Sequence, residues 1–329
     1  MKPVGQTNPK ITALVCTYNR ADLLEKVLAS LEQQTLPQSM FEVVLINDGS
    51  VDQTADIVKA YEQRLPMRYF HQENAGLAAA KNYGIRHATA PLVLFMDDDD
   101  EASPRLLEEH LKAHRKYPDE NFAVLGYTDL ESSVARQPLM HFVTEVGCYL
   151  FSYASLGDGA VLDYTYFWGG RSSCKTGFLR EHGIFNPVFR FGCEDIELGY
   201  RLSEHGLKVV YHKPAASTMI RALSLDDFFN RLIRQGESQY TFSQMHEAEE
   251  IQRWTEVQDA GQEWADIGPA FNEITLSARN LDAIVNRRHA VGLEVDEYTL
   301  RLLHRSYWNA FRACKLKGIN MRKNGGDAG

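Results

Sequence analysis

The sequence has little of what marks a secreted, membrane-spanning or nucleic-acid-binding protein. Its five cysteines are scattered over 329 residues, odd in number and without metal-binding spacing, which predicts a reducing cytoplasm. No apolar run is long enough to cross a bilayer, and a strand is predicted from Ile11 without a preceding signal-peptide pattern. The net charge of -9 argues against duplex nucleic acid as a partner, since its phosphates need a basic face.

Two common nucleotide-binding fingerprints are also missing. The segment after the first predicted strand contains no glycine, which argues against a classical dinucleotide-binding fold. No glycine-rich segment ends in Gly-Lys-Ser or Gly-Lys-Thr, so a P-loop is absent. A nucleotide site in this chain must therefore be built from other residues.

The first hundred residues instead alternate regularly between strand and helix. Helical crossovers of this length predict parallel strands in one sheet, and continuous apolar runs predict strands that are covered on both faces. The length allows one large α/β domain with an extension. The predicted strands are 11–16, 41–46, 67–70 and 91–96, and the predicted helices are 21–34, 52–65 and 74–88.

Polar clusters follow three of these strands. Residues 17–20 follow the first strand, 47–50 the second and 97–100 the strand at 91–96. Because parallel strands end at the same edge of a sheet, the three clusters are expected to meet there. Each cluster alone is weak evidence, but together they make a cleft for a nucleotide and a metal the leading hypothesis.

The third cluster consists of four consecutive aspartates. If the chain is extended there, Asp97 and Asp99 point to one side and Asp98 and Asp100 to the other. Converging carboxylates suit Mg²⁺ or Mn²⁺, which take oxygen ligands and share them with phosphates. The alternative is a solvated acidic turn that caps the helix predicted near Ser103.

A second acidic pair, Glu194 and Asp195, begins a predicted helix that ends at Gly206. The helix N-terminus keeps a carboxylate ionised, as required of a base that takes a proton from an attacking hydroxyl. From these residues alone, an N-cap is the simpler interpretation of Asp195.

In their order along the chain, these segments resemble the motifs of the family 2 glycosyltransferases. The resemblance covers about residues 9–240 and implies a GT-A fold, a Rossmann-like and mainly parallel sheet sandwiched by helices. It also implies an inverting transferase that uses a nucleotide-diphosphate sugar, with a UDP-sugar expected, a divalent cation and a carbohydrate or glycoconjugate acceptor. The matching segments are 15–20, 46–54, 74–82, 95–100, 169–170 and 191–202.

The resemblance also implies roles for individual residues. Asp195 would be the catalytic base with Glu194 in support, and Asp99 and Asp97 would hold the metal. Thr17 and Asp48 would meet the nucleoside base. The donor-binding residues carried over in this way are Thr17, Tyr18, Asn19, Arg20, Asp48, Gly76, Lys81, Asp97 and Asp98.

Two positions depart from the family pattern. Lys81 stands where members often have arginine, so a diphosphate contact there would be a point charge without a bidentate fork. Many members carry a histidine where this chain has Met219 or Arg221 nearby. Arg221 is expected to hold the diphosphate, and a third protein ligand to the metal is left open.

The acceptor side is expected at a glycine-rich loop, because adjacent glycines let the backbone approach a ligand closely. This loop lies in a segment, 127–175, that is rich in aromatic residues but lacks clean periodicity. Its residues are Trp168, Gly169, Gly170 and Arg171.

The predicted domain order is a tail at 1–8, a catalytic domain at 9–223, a helical extension at 224–323 and a disordered tail at 324–329. The last predicted helix, 298–323, has basic residues, no acidic residue and an apolar stripe. Packing of the stripe onto the protein is favoured over contact with the inner face of an anionic membrane or self-association.

Two other functions fit parts of the pattern. A nucleotidyltransferase of similar fold would favour a basic, glycine-rich loop after the first strand, and residues 17–20 contain no glycine. A non-catalytic nucleotide-sugar or carbohydrate-binding module gives no reason for Glu194 and Asp195 to accompany the acidic edge. A glycosyltransferase is therefore the leading hypothesis.

Overall fold

The computed structural model describes residues 8–326, which form two compact units. The first unit contains 8–131, 155–190 and 194–221, and the second contains 132–154, 191–193 and 222–326. The second unit thus begins near the predicted boundary at 224, but it also takes 132–154, which the predicted boundaries place in the catalytic domain. The predicted tails at 1–7 and 327–329 lie outside the described residues.

The described strands form one sheet in the first unit, in the order β3-β2-β1-β4-β8-β6-β9-β5, with β7 also paired to β9. The pairs β1–β2, β1–β4, β2–β3 and β6–β9 are parallel, while β8, β5 and β7 pair antiparallel with their neighbours. The strands are β1 (Ile11–Thr17), β2 (Phe41–Asn47), β3 (Met67–His71), β4 (Leu92–Met96), β5 (Asp100–Ala102), β6 (Phe122–Leu130), β7 (Val161–Leu162), β8 (Ser172–Lys175) and β9 (Lys208–Met219).

The helices confirm the predicted alternation in the first hundred residues and the helical character of the C-terminal part. They are α1 (Ala21–Glu32), α2 (Thr54–Tyr61), α3 (Leu77–His87), α4 (Leu106–Lys116), α5 (Ser132–Ala135), α6 (Pro138–His141), α7 (Thr176–His182), α8 (Glu194–Ser203), α9 (Leu225–Met245), α10 (Glu249–Thr255), α11 (Ala260–Ile267), α12 (Phe271–Ala290) and α13 (Glu297–Lys323).

The apolar strands lie in the middle of the sheet, as their composition predicts. β2 and β4 are buried at every position, and β1 at every position except Cys16. Helix α1 covers them with the apolar face read from the sequence, because Leu24, Val27, Leu28 and Leu31 are all fully buried.

The carboxyl ends of the three central strands meet at one edge of the sheet. Thr17 at the end of β1 pairs with Asn47 at the end of β2, and Met96 at the end of β4 pairs with Val15. The backbone N–H of Asp48 donates to the carbonyl oxygen of Thr17 at 3.0 Å. The predicted meeting of the three polar clusters is therefore confirmed.

The second unit is built around the long helices α9 and α13. Helix α9 begins with a capping box, in which Ser224 and Asp227 each accept from the other's backbone N–H. The stripe of α13 is buried at Leu303, Tyr307 and Phe311, and α13 packs against α9 and α12 of the same unit. The favoured packing of this stripe is thus what the structure shows. No helix within residues 8–326 is long and apolar enough to cross a membrane.

Helices α9 and α13 approach closely because each has a glycine at the contact. A Cβ on Gly318 would overlap the carbonyl oxygen of Ile233, and a Cβ on Gly236 would overlap that of Lys315. Neither clash can be relieved by moving a side chain, since both involve backbone atoms. The spacing of the two helices therefore depends on these glycines.

We expect Gly318→Ala to destabilise the second unit by about 1–3 kcal/mol, because the added methyl group forces the helix backbones apart. Gly261→Ala is the control: its Cβ would lie 3.4 Å from the mobile end of Lys323, and alanine favours a helix. Urea unfolding followed by tryptophan fluorescence measures both free energies of unfolding. Equal stability of the two variants would contradict the close contact.

Candidate active site

The loops after β1 and β2 are tied together by Asn19. Its backbone N–H donates to Ser50 Oγ at 2.9 Å, and its Oδ1 accepts from the N–H of Val51 at 2.8 Å. Asn19 has a left-handed backbone with φ of 52°, a conformation that asparagine tolerates better than most residues. Beside it Thr17 is buried and Tyr18 is 48% exposed. The residues predicted to meet the nucleoside thus lie in one connected loop pair.

Asp48 organises the loop that follows β3. Its Oδ1 accepts from Gln72 Nε2 at 2.6 Å and from the N–H of Ala75 at 3.0 Å, and its Oδ2 accepts from the N–H of Gly76 at 2.9 Å. Gly76 has φ of 89°, in the left-handed region that glycine favours. Asp48 therefore positions Gly76. Gln72, the other partner of Asp48, was not predicted from the sequence.

The aspartate block is a turn rather than an extended strand. The chain leaves β4 at Met96, turns through Asp98 and Asp99 and re-enters the sheet at Asp100. The predicted alternation is wrong, because a period of two applies only to extended backbone. The ion pairs instead group Asp98 with Asp99, and Asp97 with Asp100.

Two arginines from distant parts of the chain pair with the tip of this turn. Arg20 Nη1 lies 2.5 Å from Asp98 Oδ1 and 3.5 Å from Asp99 Oδ2. Arg221 Nη1 lies 3.7 Å from Asp99 Oδ2. Both arginines, predicted to contact the donor, are thus close to the carboxylates in this structure.

The other two aspartates share Arg171. Its Nη2 lies 3.2 Å from Asp100 Oδ2 and 3.7 Å from Asp97 Oδ2, and its Nε donates to Thr128 Oγ1 at 2.8 Å. The hydroxyls of Thr128 and Ser217 also donate to Asp100 Oδ2, each at 3.3 Å. Arg171, predicted to lie on the acceptor side, is therefore a counter-charge for the aspartate block. The sequence offers no local signal for these partners, which come from other strands.

Burial and mutual repulsion raise the pKa of three carboxyl groups in the aspartate block, those of Asp98, Asp99 and Asp100. The pKa of Asp99 is raised to about 7 by burial and by the other three aspartates, an effect that Arg20 only partly opposes. Burial raises the pKa of Asp100 to about 6 against the opposing charge of Arg171. The turn therefore carries more negative charge than its basic neighbours offset.

A second charged cluster joins Lys81 to the start of α8. Lys81 Nζ lies 3.4 Å from Glu194 Oε1, and both side chains are buried. Burial opposes the charge on Lys81, but Glu194, Asp97 and Asp195 outweigh it and raise the lysine pKa. Burial, with help from Asp195, raises the pKa of Glu194 against the effect of Lys81. Glu194 Oε2 is buried and accepts no hydrogen bond within the described chain.

Asp195 is held differently from its neighbour. It is only half-buried, and its Oδ2 accepts from the N–H of Gly169 at 2.9 Å while its Oδ1 accepts from the N–H of Ile196 at 2.9 Å. Helix α8 begins at Glu194, as predicted. A carboxylate at this point is oriented by backbone donors and still faces solvent in part.

The glycine-rich loop connects the two acidic clusters. A Cβ on Gly169 would lie 2.7 Å from Lys81 Nζ, and a Cβ on Gly170 would overlap the carboxylate of Asp97. The carbonyl oxygen of Gly170 accepts from the N–H of Asp97 at 3.3 Å. Both positions therefore need glycine for close approach to charged side chains. An acceptor-side role for Trp168 in this loop stays a prediction.

Residues 12–177, half of the chain, match the sequence profile of Glycosyl transferase family 2. The chain belongs to this family. Validoxylamine A glucosyltransferase of Streptomyces hygroscopicus subsp. jinggangensis (strain 5008) is 36% identical over 222 residues, which are 60% of this chain and 52% of that protein. Hyaluronan synthase of Pasteurella multocida is 27% identical over 226 residues, covering 60% of this chain and 23% of the synthase. This family 2 member thus spans about half the length of the glucosyltransferase.

Solved structures confirm the GT-A fold of this family 2 chain. The mannosyltransferase PcManGT from Pyrobaculum calidifontis, in complex with GDP-Man and Mn²⁺, has a TM-score of 0.63 and 18% identity, covering 98% of this chain and 89% of that one. S. aureus TarS 1-349 with UDP-GlcNAc has a TM-score of 0.53 and 16% identity, covering 97% and 93%. At such identities the likeness establishes the fold alone.

We expect Asp99→Asn to stabilise the metal-free protein near pH 8 and to have much less effect near pH 5. The folded protein holds the Asp99 proton up to a pH of about 7, whereas the unfolded chain releases it near 3.8. Wild-type stability therefore falls as pH rises between these values, and asparagine removes that loss. Thermal melts in EDTA across this pH range measure the difference.

The control is Asp119→Asn, which changes an exposed carboxyl group of the same unit. Its effect on the melting temperature is expected to be small and nearly constant across the pH range. If Asp99→Asn shows the same flat profile, or loses stability at high pH, burial and repulsion of the Asp99 charge do not lower the stability of the folded protein.

Proposed function

We propose that this family 2 member is a metal-dependent, inverting glycosyltransferase. It moves a sugar from a nucleotide-diphosphate sugar, a UDP-sugar in our proposal, to a hydroxyl of a glycan, polysaccharide or glycoconjugate. The observation that carries the proposal is Asp195, a half-buried carboxylate fixed by the N–H of Gly169 beside Lys81 and the aspartate turn. This arrangement would combine a catalytic base with a cation-binding edge of the sheet in the first unit.

Asp195 has the properties of the base for this reaction. The acceptor oxygen attacks the anomeric carbon, the bond from that carbon to the diphosphate breaks, and the acceptor proton passes to the Asp195 carboxylate. Its backbone donors fix its direction at the start of α8. Because attack comes from the face opposite the diphosphate, the anomeric configuration inverts.

Lys81 and Glu194 support the base from the buried side. The ammonium group of Lys81 lies against Glu194 and close to Gly169, so it offsets negative charge beside Asp195. A contact of Lys81 with the diphosphate stays a prediction. We therefore assign Lys81 first to positioning the acidic pair.

The residues of the turn fit a divalent cation. Asp97, whose side chain is 36% exposed, and Asp99 present carboxylate oxygens, the donors that Mg²⁺ and Mn²⁺ prefer. Within residues 8–326 no group of three or more His, Cys, Asp or Glu side chains is arranged to hold a metal. The remaining ligands would come from the donor diphosphate and water. When bound, the cation offsets the charge that develops on the departing diphosphate.

Recognition of the nucleoside is proposed to involve Asp48. Its Oδ2 accepts a single hydrogen bond, from Gly76, so a lone pair remains for the imide N–H of uracil. Thr17 lies beside it at the end of β1. One of the related structures is in complex with GDP-Man and another with UDP-GlcNAc, so the identity of the nucleoside base requires a direct test.

The nucleotidyltransferase alternative receives no support from the site, since the loop after β1 has no glycine and its one basic residue, Arg20, is ion-paired with Asp98. A cytoplasmic location stays a prediction, and it agrees with five free cysteines. Contact of the C-terminal helices with a membrane or a second copy likewise stays a prediction.

The function is tested with a panel of nucleotide-sugars and candidate glycan acceptors in Mn²⁺, Mg²⁺ or EDTA. We expect release of the nucleoside diphosphate from one UDP-sugar, in either metal but not in EDTA. Proton NMR of the product gives the anomeric configuration. Full turnover in EDTA, or retention of configuration, would overturn the metal-dependent or the inverting part of the proposal.

We expect Asp195→Asn to lower kcat by roughly 10²–10⁴-fold with little change in donor affinity, because a general base acts mainly in the transition state. The amide oxygen can still accept from the N–H of Gly169, so the fold should persist. Asp56→Asn, at an exposed carboxyl group on α2, is the matched control and should retain wild-type turnover. Near-normal turnover of a folded Asp195→Asn would instead leave Asp195 as a helix-capping residue.

A further inference from the structure

A cavity of about 610 Å³ lies wholly within the second unit. This volume is typical of sites that bind small molecules. Its walls come from the segment after α6, from helices α9 and α13, and from Glu256 at the end of α10. The residues that bear on its chemistry are Tyr149, Gln235, Glu256, Trp308, Asn309, Arg312 and Lys315.

The two basic groups of the cavity differ in their partners. Arg312 is fixed by Glu263, with Nε and Nη2 at 2.9 and 2.5 Å from the two carboxylate oxygens, and by Glu256 at 2.7 Å. The ammonium group of Lys315 has no hydrogen bond or ion pair to any described residue, and it lies 5.6 Å from the centre of the Tyr149 ring. Arg312 is therefore compensated, whereas Lys315 offers a positive charge to a ligand.

Burial deprives the ammonium group of Lys315 of part of its hydration. Burial lowers its pKa and Arg312 lowers it further, while Glu256 opposes the shift. An anion in the cavity would replace the water that Lys315 has lost. The position of Lys315 is also well defined, because its carbonyl oxygen lies against Gly236 where α13 meets α9.

The remaining lining is suited to a sugar ring. Trp308 is 44% exposed, and its ring centre lies 5.3 Å from that of Tyr149, so an aromatic surface faces the opening. Aromatic faces pack against the apolar faces of sugar rings. The amides of Gln235 and Asn309 supply both donors and acceptors, which hydroxyl groups require. A lining this polar is unsuited to an acyl chain.

We propose that this cavity binds a saccharide that carries an anionic group, with its ring against Trp308, its hydroxyls at Gln235 and Asn309, and its anion at Lys315. The anion is a carboxylate, as in a uronic acid, or a phosphate. The site is distinct in its residues from the proposed catalytic groups, all of which belong to the first unit. It gives the helical extension a binding function of its own.

The chain contains a reporter for occupancy of this cavity. Cys148 lines the cavity and is exposed, whereas Cys174, Cys193 and Cys314 are buried. Cys16 is partly covered, and burial raises its thiol pKa far above the usual range, which suppresses reaction. The rate of alkylation at Cys148 therefore reports ligand binding in this cavity, and no measurement of glycosyl transfer is needed.

The test measures the rate of Cys148 alkylation, by peptide mass spectrometry, with trigalacturonate, glucose 6-phosphate, maltotriose, inorganic phosphate or UDP at millimolar concentration. We expect an anionic saccharide to slow alkylation and to bind at least roughly 10-fold more tightly than maltotriose or inorganic phosphate, because a charge-assisted contact is added to ring packing. Comparison of trigalacturonate with glucose 6-phosphate shows whether the anionic group of the ligand is a carboxylate or a phosphate. Calorimetry provides the affinities.

Lys315→Met should lower the affinity for the saccharide that protects Cys148 by roughly 10–100-fold. Lys317→Met is the matched control, since Lys317 is on the same helix but lies over the Phe271 ring at 4.5 Å and does not line the cavity. Absence of protection by both anionic saccharides, or unchanged affinity in a folded Lys315→Met, would overturn the site. If maltotriose protects Cys148 as well as the anionic saccharides do, the ligand does not need an anionic group and that part of the proposal is overturned. If UDP protects Cys148 equally well, the assignment of a saccharide ligand is overturned.

Discussion

An excess of negative charge at the carboxyl edge of the sheet is the constraint on which the rest of the site depends. The carboxylates there outnumber the basic side chains that the described structure places among them, and several are buried. Burial, together with repulsion among these charges, raises the pKa of Asp99 to about 7. The carboxylates are Asp97, Asp98, Asp99, Asp100, Glu194 and Asp195, and the basic groups are Arg20, Lys81, Arg171 and Arg221.

The backbone around this charge is shaped to bring the basic groups close. The turn at Asp98 and Asp99 splits the block, so that arginines reach it from two directions. Gly169 and Gly170 remove the side chains that would keep the loop before β8 away from Lys81 and Asp97. These contacts offset only part of the negative charge of the carboxylates. Carboxylates with such uncompensated charge are suited to bind a hard cation.

Much of this arrangement could be predicted from the sequence, because it depends on local patterns. Apolar periodicity located β1, β2, β4 and α1, and the common edge of a parallel sheet brought their polar ends together. The partners of the charges could not be predicted, since Arg171 and Ser217 reach Asp100 through the pairing of β5, β6, β8 and β9. The assignment of 132–154 to the helical unit was missed for a related reason, as that segment has no clean period and packs through contacts distant in sequence.

Arg221 shows how a departure from a family pattern changes what a site can do. A histidine near this place supplies a lone pair to a metal, whereas a guanidinium supplies only donors and a permanent charge. At 3.7 Å from Asp99 it competes with a cation for the same carboxylate. Under the proposed reaction, a cation held by Asp99 would weaken this contact, and the guanidinium of Arg221 would then be available to bind the diphosphate. In our proposal Arg221 therefore contributes to binding the diphosphate and not the metal, which leaves the metal to the carboxylates, the donor and water.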